Sequence, residues 1–195
     1  MQQLMSFPQD SSFETSRCVI RRARPDDLAK LSVAIAAREF PLRLPLSSML
    51  REGRLSSWLD AMCRSDANRA SHLWSIDLKS GESCVGQVGV SSLPESQRWA
   101  LFFWIAPQFW GKFLATEAVC AVLQFVSRQS ECTQMWAATA DWNAPGIALL
   151  VKLGFVEIAR TPAGYVVDGE PQTTIEFLLR NPPGTACREQ FESPG

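Results

Sequence analysis

Two hydrophobic periods alternate along this chain, and the places where one gives way to the other mark its elements. Residues 18–22 form a short apolar run that ends in charge and reads as a strand. Pro25 then opens a helix, because proline suits a first turn and Asp26 and Asp27 meet its positive end. Leu28, Leu31 and Ile35 keep helical spacing until Pro41 and Pro45 end the run. Ser47 is placed to cap a second helix, with Leu55, Trp58, Leu59 and Met62 on one face. Residues 73–78 alternate instead. Trp74, Ile76 and Leu78 fall on one side and Ser75 and Asp77 on the other, as in a strand. Ser80-Gly81 turns the chain into a second strand over 84–91. A loop over 94–97 leads to a strongly aromatic strand over 98–105. Short turns between the three predict an antiparallel meander.

The helical period returns over 114–128. Ala115, Ala118, Val119, Val122, Leu123 and Val126 face inward, and Glu117, Gln124 and Arg128 outward. A strand follows over 135–140. Asn143-Ala144-Pro145 starts a helix that runs to Leu153, where Gly154 is a natural left-handed stop. Runs at 155–159, 164–167 and 173–179 finish the chain as strands. The order β-α-α-β-β-β-α-β-α-β-β is an α+β (mixed α/β) fold class, and residues 98–140 should form a parallel crossover. Residues 1–15 are polar, and residues 181–195 carry Pro182, Pro183 and Gly184. Both are expected to be tails, leaving a single domain over 16–180.

Composition narrows the chemistry. The 195 residues suit one domain. Lys and Arg total 19 against 20 Asp and Glu, so no basic field is available to grip nucleic acid. One His (His72) and one Tyr (Tyr165) stand against seven Trp and eleven Phe. A His-rich zinc site is excluded, and a Ser-His-Asp triad would have to use His72. No two of the six cysteines have CxxC spacing, and they are expected to be reduced, buried thiols. Met1 to Asp10 lacks the basic and apolar regions of a signal peptide. No stretch reaches the roughly 18 apolar residues of a membrane span. A cytoplasmic protein working without membrane or nucleic acid is expected.

The informative segment runs from Trp104 to Ala118, where a strand enters a short loop and the loop opens a helix. Such a junction aims free N–H groups and a helix dipole at one spot, a site suited to a pyrophosphate. Gly111 permits close approach and Lys112 adds charge. On spacing alone, an ordinary loop before an apolar helix stays open.

Three stretches here resemble the GNAT acetyltransferases, in their ribosomal-protein-type N-acetyltransferase branch. Gln108 and Gly111, with Trp110, Lys112 and residues 115–118 around them, resemble the family's Gln/Arg-x-x-Gly-x-Gly/Ala loop. Asn143, with residues 149–155, resembles its Asn-x-x-Ser-x-x-Leu-x-x-Lys-x-Gly-Phe helix, and residues 20–27 resemble its first strand and helix. The resemblance covers roughly residues 17–180. It departs at Phe113, where the family has the second loop glycine, and at Gly146, where it has Ser.

The resemblance implies a GNAT fold, acetyl-CoA as cofactor, and direct attack of an amine on the thioester. It implies a pantetheine arm in the split between the two parallel strands, paired with backbone near Trp104, Ile105 and Ala106. It assigns Gln108, Trp110, Gly111, Lys112, Phe113, Leu114 and Ala115 to the coenzyme loop, and adds Asn143 and Lys152. Many relatives carry Glu four residues before the strand's Trp, where this chain has Ala100, and a Tyr near the leaving thiolate is absent. Asp141 is then a candidate base beside Asn143, or a solvated carboxylate that helps start the helix. His72 and Glu39 are further candidates, and Glu117 reads as structural. Lacking a strong base, such a site should prefer an α-amine to a Lys side chain, whose ammonium has a pKa of about 10.4. Trp99, Trp104, Trp110 and Trp142 either pack the core or wall an aromatic acceptor pocket; alternation puts Trp99 opposite Trp104. The expected partner is a small-molecule amine or a peptide N-terminus, and the protein a monomer or homodimer. The alternatives are a non-catalytic acyl-CoA-binding or interaction module on the same fold, and a nucleotide-binding domain. The latter is disfavoured because the loop lacks GxGxxG and P-loop patterns.

Overall fold

The computed structural model describes residues 11–65, 70–93, 96, 98–129 and 132–182. These residues hold an eight-stranded sheet: β1 (Phe13–Glu14), β2 (Cys18–Arg22), β3 (Ser71–Leu78), β4 (Gly86–Leu93), β5 (Arg98–Ile105), β6 (Gln134–Ala140), β7 (Val156–Val167) and β8 (Glu170–Arg180). Strand order is β1-β2-β3-β4-β5-β6-β8-β7. Pairing is antiparallel except for β5 and β6. The parallel pair is the crossover expected over 98–140, joined by α4 (Leu114–Gln129). Helices α1 (Leu28–Ala36), α2 (Pro45–Arg51) and α3 (Leu55–Ser65) precede the meander, and α5 (Ala144–Lys152) follows β6. The whole is a mixed α+β architecture with one parallel strand pair, as the resemblance implies.

Period explains the layering. In β5, Trp99, Leu101 and Ile105 join the core under α4, where Val119, Val122, Leu123 and Val126 are fully buried. Trp104, one step out of phase, joins a second core with Leu31 and Ile35 of α1 and Leu55 and Leu59 of α3. Each face of the sheet is thus sealed by helices. Gly89 of β4 is bare because the Phe102 ring of its partner strand fills the space a Cβ would need.

Five expectations need correction. The second helix is two, α2 and α3: Gly53 takes φ +68 between them and ends the first. Ser47 does not cap it. Pro45 sits in the first turn, and the buried Ser47 hydroxyl donates to the Pro41 carbonyl at 2.9 Å. Phe13 and Glu14, assigned to the tail, pair with β2, and Phe13 stacks on Phe125 at 4.7 Å. The runs at 155–159 and 164–167 are one strand, β7, carried through by two register shifts. Asp168 and Gly169, both at positive φ, close the β7–β8 hairpin. Cys18, Cys63, Cys84 and Cys132 are in no disulfide, whereas Cys120 is disulfide-bonded, against expectation. Residues 1–10 and 183–195 of the expected tails lie outside the described residues. No described helix is long and apolar enough to cross a membrane.

Candidate active site

Among the described residues, strands β5 and β6 pair only at Trp99↔Met135 and Ala100↔Trp136. Beyond that point β5 stays with β4 to Ile105, and β6 stays with β8 to Ala140. Each is held by its antiparallel neighbour, so the two diverge. A cavity of about 500 Å³ opens between them, lined by residues 101–104 and 136–140, by Asn143, Gly146 and Leu150 of the α5 region, and by Tyr165 and Thr174. Ala106 donates its N–H to Val85 at 2.8 Å, on the β4 side. By alternation Ile105 faces the split, where its carbonyl accepts the Trp110 indole N–H at 2.7 Å.

At the end of β5, Pro107–Phe109 make a single 3₁₀ turn in which Gln108 is exposed. Gly111 follows at φ +72, with no atom within 4 Å of where a Cβ would stand. Phe113 takes φ +58 although it is not glycine, so the chain keeps the left-handed turn with a side chain disfavoured there. That side chain points outward, 66% exposed. The Phe113 carbonyl accepts from Glu117 N–H at 3.1 Å and starts α4. Among the described residues, no acceptor takes the N–H groups of residues 111–116, Leu114 and Ala115 included. Lys112 Nζ lies 5.2 Å over the Phe109 ring and Lys152 Nζ 4.9 Å over the Phe113 ring, so two ammonium groups flank the loop. Glu117 is structural: burial alone would raise its pKa, but hydrogen bonds from Thr15, Arg17 and Ser16 outweigh this and hold it low.

A family model described as the acetyltransferase (GNAT) domain matches residues 17–156. The chain belongs to the GNAT acetyltransferase family. It shares its fold with ribosomal-protein-S5-alanine acetyltransferase from Vibrio fischeri, at TM-score 0.73 and 16% identity over 88% of this chain and 97% of that one. Mycobacterium smegmatis RimJ in complex with CoA-disulfide superposes at TM-score 0.70 and 18% identity, covering 90% and 84%. A spermidine N-acetyltransferase chimera of Vibrio cholerae SpeG and hSSAT does so at 0.70 and 14%, covering 85% and 96%. No curated protein matches the sequence.

In this acetyltransferase the residues expected to bind coenzyme come together as a split, a loop and a helix start. Asn143 lines the cavity; its Nδ2 donates to Thr139 Oγ1 at 2.8 Å and its Oδ1 accepts from Gly146 N–H at 3.3 Å, capping α5. A Cβ on Gly146 would stand 2.5 Å from Asn143 Nδ2. The family's Ser therefore does not fit this arrangement. Gly146→Ser should displace the cap and cost about 1 kcal/mol, measured by urea unfolding.

The expected acid–base groups do not converge on the split. Asp141 is exposed and outside the cavity lining; its N–H donates to the Thr173 carbonyl at 3.1 Å. Glu39 is also exposed. His72 is fully buried between Trp74 and Trp99, with Nδ1 3.2 Å from Arg22 Nη2, and does not line the cavity. Of the four tryptophans, Trp104 lines it. Trp110 meets Phe40 at 6.4 Å, and Trp142 lies under Arg43. Trp58, Trp136 and Tyr165 are among the lining residues that escaped the sequence reading. Their place depends on α3, β8 and the β7–β8 hairpin closing over the split. For Trp136 the alternation of β6 was an available signal.

Behind Trp104 runs a buried polar chain. The indole donates to Gln87 at 3.0 Å, Gln87 donates to Ser75 at 3.1 Å, and Ser75 donates to Asp27 at 2.7 Å. Asp27 also takes Arg21 Nη2 at 2.7 Å and Arg24 N–H at 2.9 Å. Arg21 in turn binds Asp77 at 2.7 Å. The cavity wall at Trp104 is thereby anchored to the start of α1.

Proposed function

We propose that this protein moves the acetyl group of acetyl-CoA to a primary amine, a small molecule or a peptide N-terminus, in a single acetyltransferase domain, residues 16–180 extended by β1 to Phe13. The observation that carries this reading is the continuity of three features: the split, the cavity inside it, and the cluster of free N–H groups at its mouth. Residues 111–116, with Lys112 and Lys152, suit the pyrophosphate. The open space at Gly111 suits its close approach. The unpaired edges of β5 and β6 suit the amide-bearing arm. When bound, acetyl-CoA supplies an activated thioester carbonyl. The chain's own part is to hold the two reactants together and to exclude water with apolar walls.

Among the described residues, Tyr165 is the one titratable side chain lining the cavity. Burial pushes its phenol up from the ordinary value; Arg43 opposes this and Asp141 adds to it. The hydroxyl donates to the Arg43 carbonyl at 3.3 Å. A phenol kept protonated is suited to give a proton to a departing thiolate. Tyr165→Phe should lower kcat by roughly tenfold or more while leaving acetyl-CoA affinity unchanged, and should remove the alkaline limb of the pH–rate profile. An unaltered profile would take Tyr165 out of the proton path.

The near-neutral charge supports a partner other than nucleic acid. We place the protein in the cytoplasm, as a monomer or homodimer. Isothermal titration with acetyl-CoA tests the coenzyme reading: saturable one-site binding is expected, and no heat at millimolar ligand would contradict it. Binding without amine-dependent turnover would restore the non-catalytic alternative.

A further inference from the structure

The side of the cavity facing the split is apolar. Phe40, Leu44, Pro45, Leu46, Met49 and Trp58 supply it. Among the described residues, no Asp, Glu, Lys or Arg lines any part of the cavity. The carboxylates nearby are turned elsewhere. Asp141 and Glu39 are exposed, Asp168 is held by Arg51 at 2.6 Å, and Glu176 accepts the Trp136 indole N–H at 2.9 Å. Arg43, 4.8 Å above the Trp142 ring, adds positive charge beside Tyr165, where Asp141 opposes it.

Such a wall selects against charge. An ammonium entering it loses water and meets no carboxylate to replace the lost hydration. A polyamine would need several such partners. An apolar body gains from leaving water, and the volume is in the range that ligand pockets use. The polar side chains of the wall are mostly occupied: the Trp104 and Trp136 indoles, Asn143, Thr139 and Tyr165 all have protein partners. Thr174 Oγ1 has no partner but is closed off from the cavity, so close to Gly164 that a Cβ there would stand 2.4 Å from it.

Resting on the acetyl-transfer reading above, we propose that the acceptor is a weakly basic primary amine, of the α-amine kind, on an apolar body the size of an aromatic ring, seated among Phe40, Leu46, Met49 and Trp58. An α-amine has a pKa near about 7.7–8.0 and is partly neutral at pH 7, so it enters without an acidic partner and needs no strong base. The transfer balances: the amine nitrogen forms the amide bond, the thioester C–S bond breaks, and one proton passes from nitrogen to the released thiol.

The test is amine-dependent thiol release by the full chain with acetyl-CoA and four acceptors: phenylalaninamide, a Phe-initiated tetrapeptide, glycinamide and spermidine. The expected result is a kcat/KM for phenylalaninamide or the Phe peptide at least about tenfold above glycinamide and spermidine. Whichever of the first two is faster identifies a free small molecule or a peptide as the source. Preference for spermidine or glycinamide overturns the proposal and leaves acetyl transfer standing. No turnover with any amine overturns both.

Two variants separate the causes. Met49→Glu, placing an acid in the wall, should lower the ratio of phenylalaninamide to spermidine at least about tenfold, with folding checked by thermal melting. Met49→Ala, which removes apolar wall without adding charge, should raise KM for phenylalaninamide at least about threefold without changing acetyl-CoA affinity. An unchanged ratio in the first and an unchanged KM in the second would refute the assignment.

Discussion

Phe113→Asp should leave the fold at least as stable and weaken acetyl-CoA binding roughly a hundredfold. Phe113 is strained at φ +58, a conformation Asp tolerates better. It also occupies the position whose carbonyl starts α4, where a carboxylate meets free N–H groups and the positive end of the helix. The substitution is therefore neutral or favourable for the helix. For the coenzyme it is adverse twice over. The carboxylate takes up donors that the pyrophosphate needs, and it adds a like charge. At about 5 Å and an effective dielectric of about 20, one unit of repulsion is about 3 kcal/mol, two decades in affinity. Binding and melting move in opposite senses, which a merely damaged loop would not produce. Isothermal titration beside thermal melting reads both. Unchanged affinity would place the coenzyme elsewhere.

Asp27→Ala should be the most destabilising single change outside the apolar core, costing about 3 kcal/mol. Asp27 is 5% exposed and collects bonds from Arg21, Ser75 and the Arg24 N–H. Breaking a buried pair on one side costs about 3–5 kcal/mol because the partner is left uncompensated. Arg21 keeps Asp77, which sets the lower end. The pH dependence has a definite sign. Burial alone would raise the Asp27 carboxyl, but hydrogen bonds from Arg21, Ser75 and Arg24 outweigh it and hold the folded value below the ordinary one. Its contribution is complete above the unfolded value near about 3.9 and is lost as pH falls below that toward the folded value. Urea unfolding of wild type should therefore lose stability over this acid range, and Asp27→Ala should show a shallower loss. Because the chain of bonds ends on Trp104, the variant should also raise KM for the amine.

The parts of the fold that the sequence made legible are those governed by local period. β5 was expected at the bounds it takes, and α4 and α5 within a residue or two, because the period changes sharply and Pro107, Gly111, Pro145 and Gly154 stand beside their ends. The coenzyme loop was legible for the same reason. What escaped depends on long-range closure. Gly53 divides α2 from α3 inside a pattern that reads as one helix. Register shifts let β7 absorb a turn-like stretch. Tyr165 reaches the cavity only because the β7–β8 hairpin folds back to α2, where its hydroxyl meets a carbonyl 122 residues earlier. The polar chain behind Trp104 likewise joins residues on β2, β3, β4 and β5 that no spacing rule connects. Asp141 was singled out by its place at a strand end, but local sequence does not tell which way such a carboxylate turns.

The most direct test is the product itself. The full-length protein is incubated with acetyl-CoA and phenylalaninamide, thiol release is followed, and the amine is examined by mass spectrometry. Acetyl transfer predicts release that depends on the amine, one acetylated amine per thiol, and loss of both in Phe113→Asp. Thiol release independent of any amine, or none across the amine panel despite saturable acetyl-CoA binding, would contradict it.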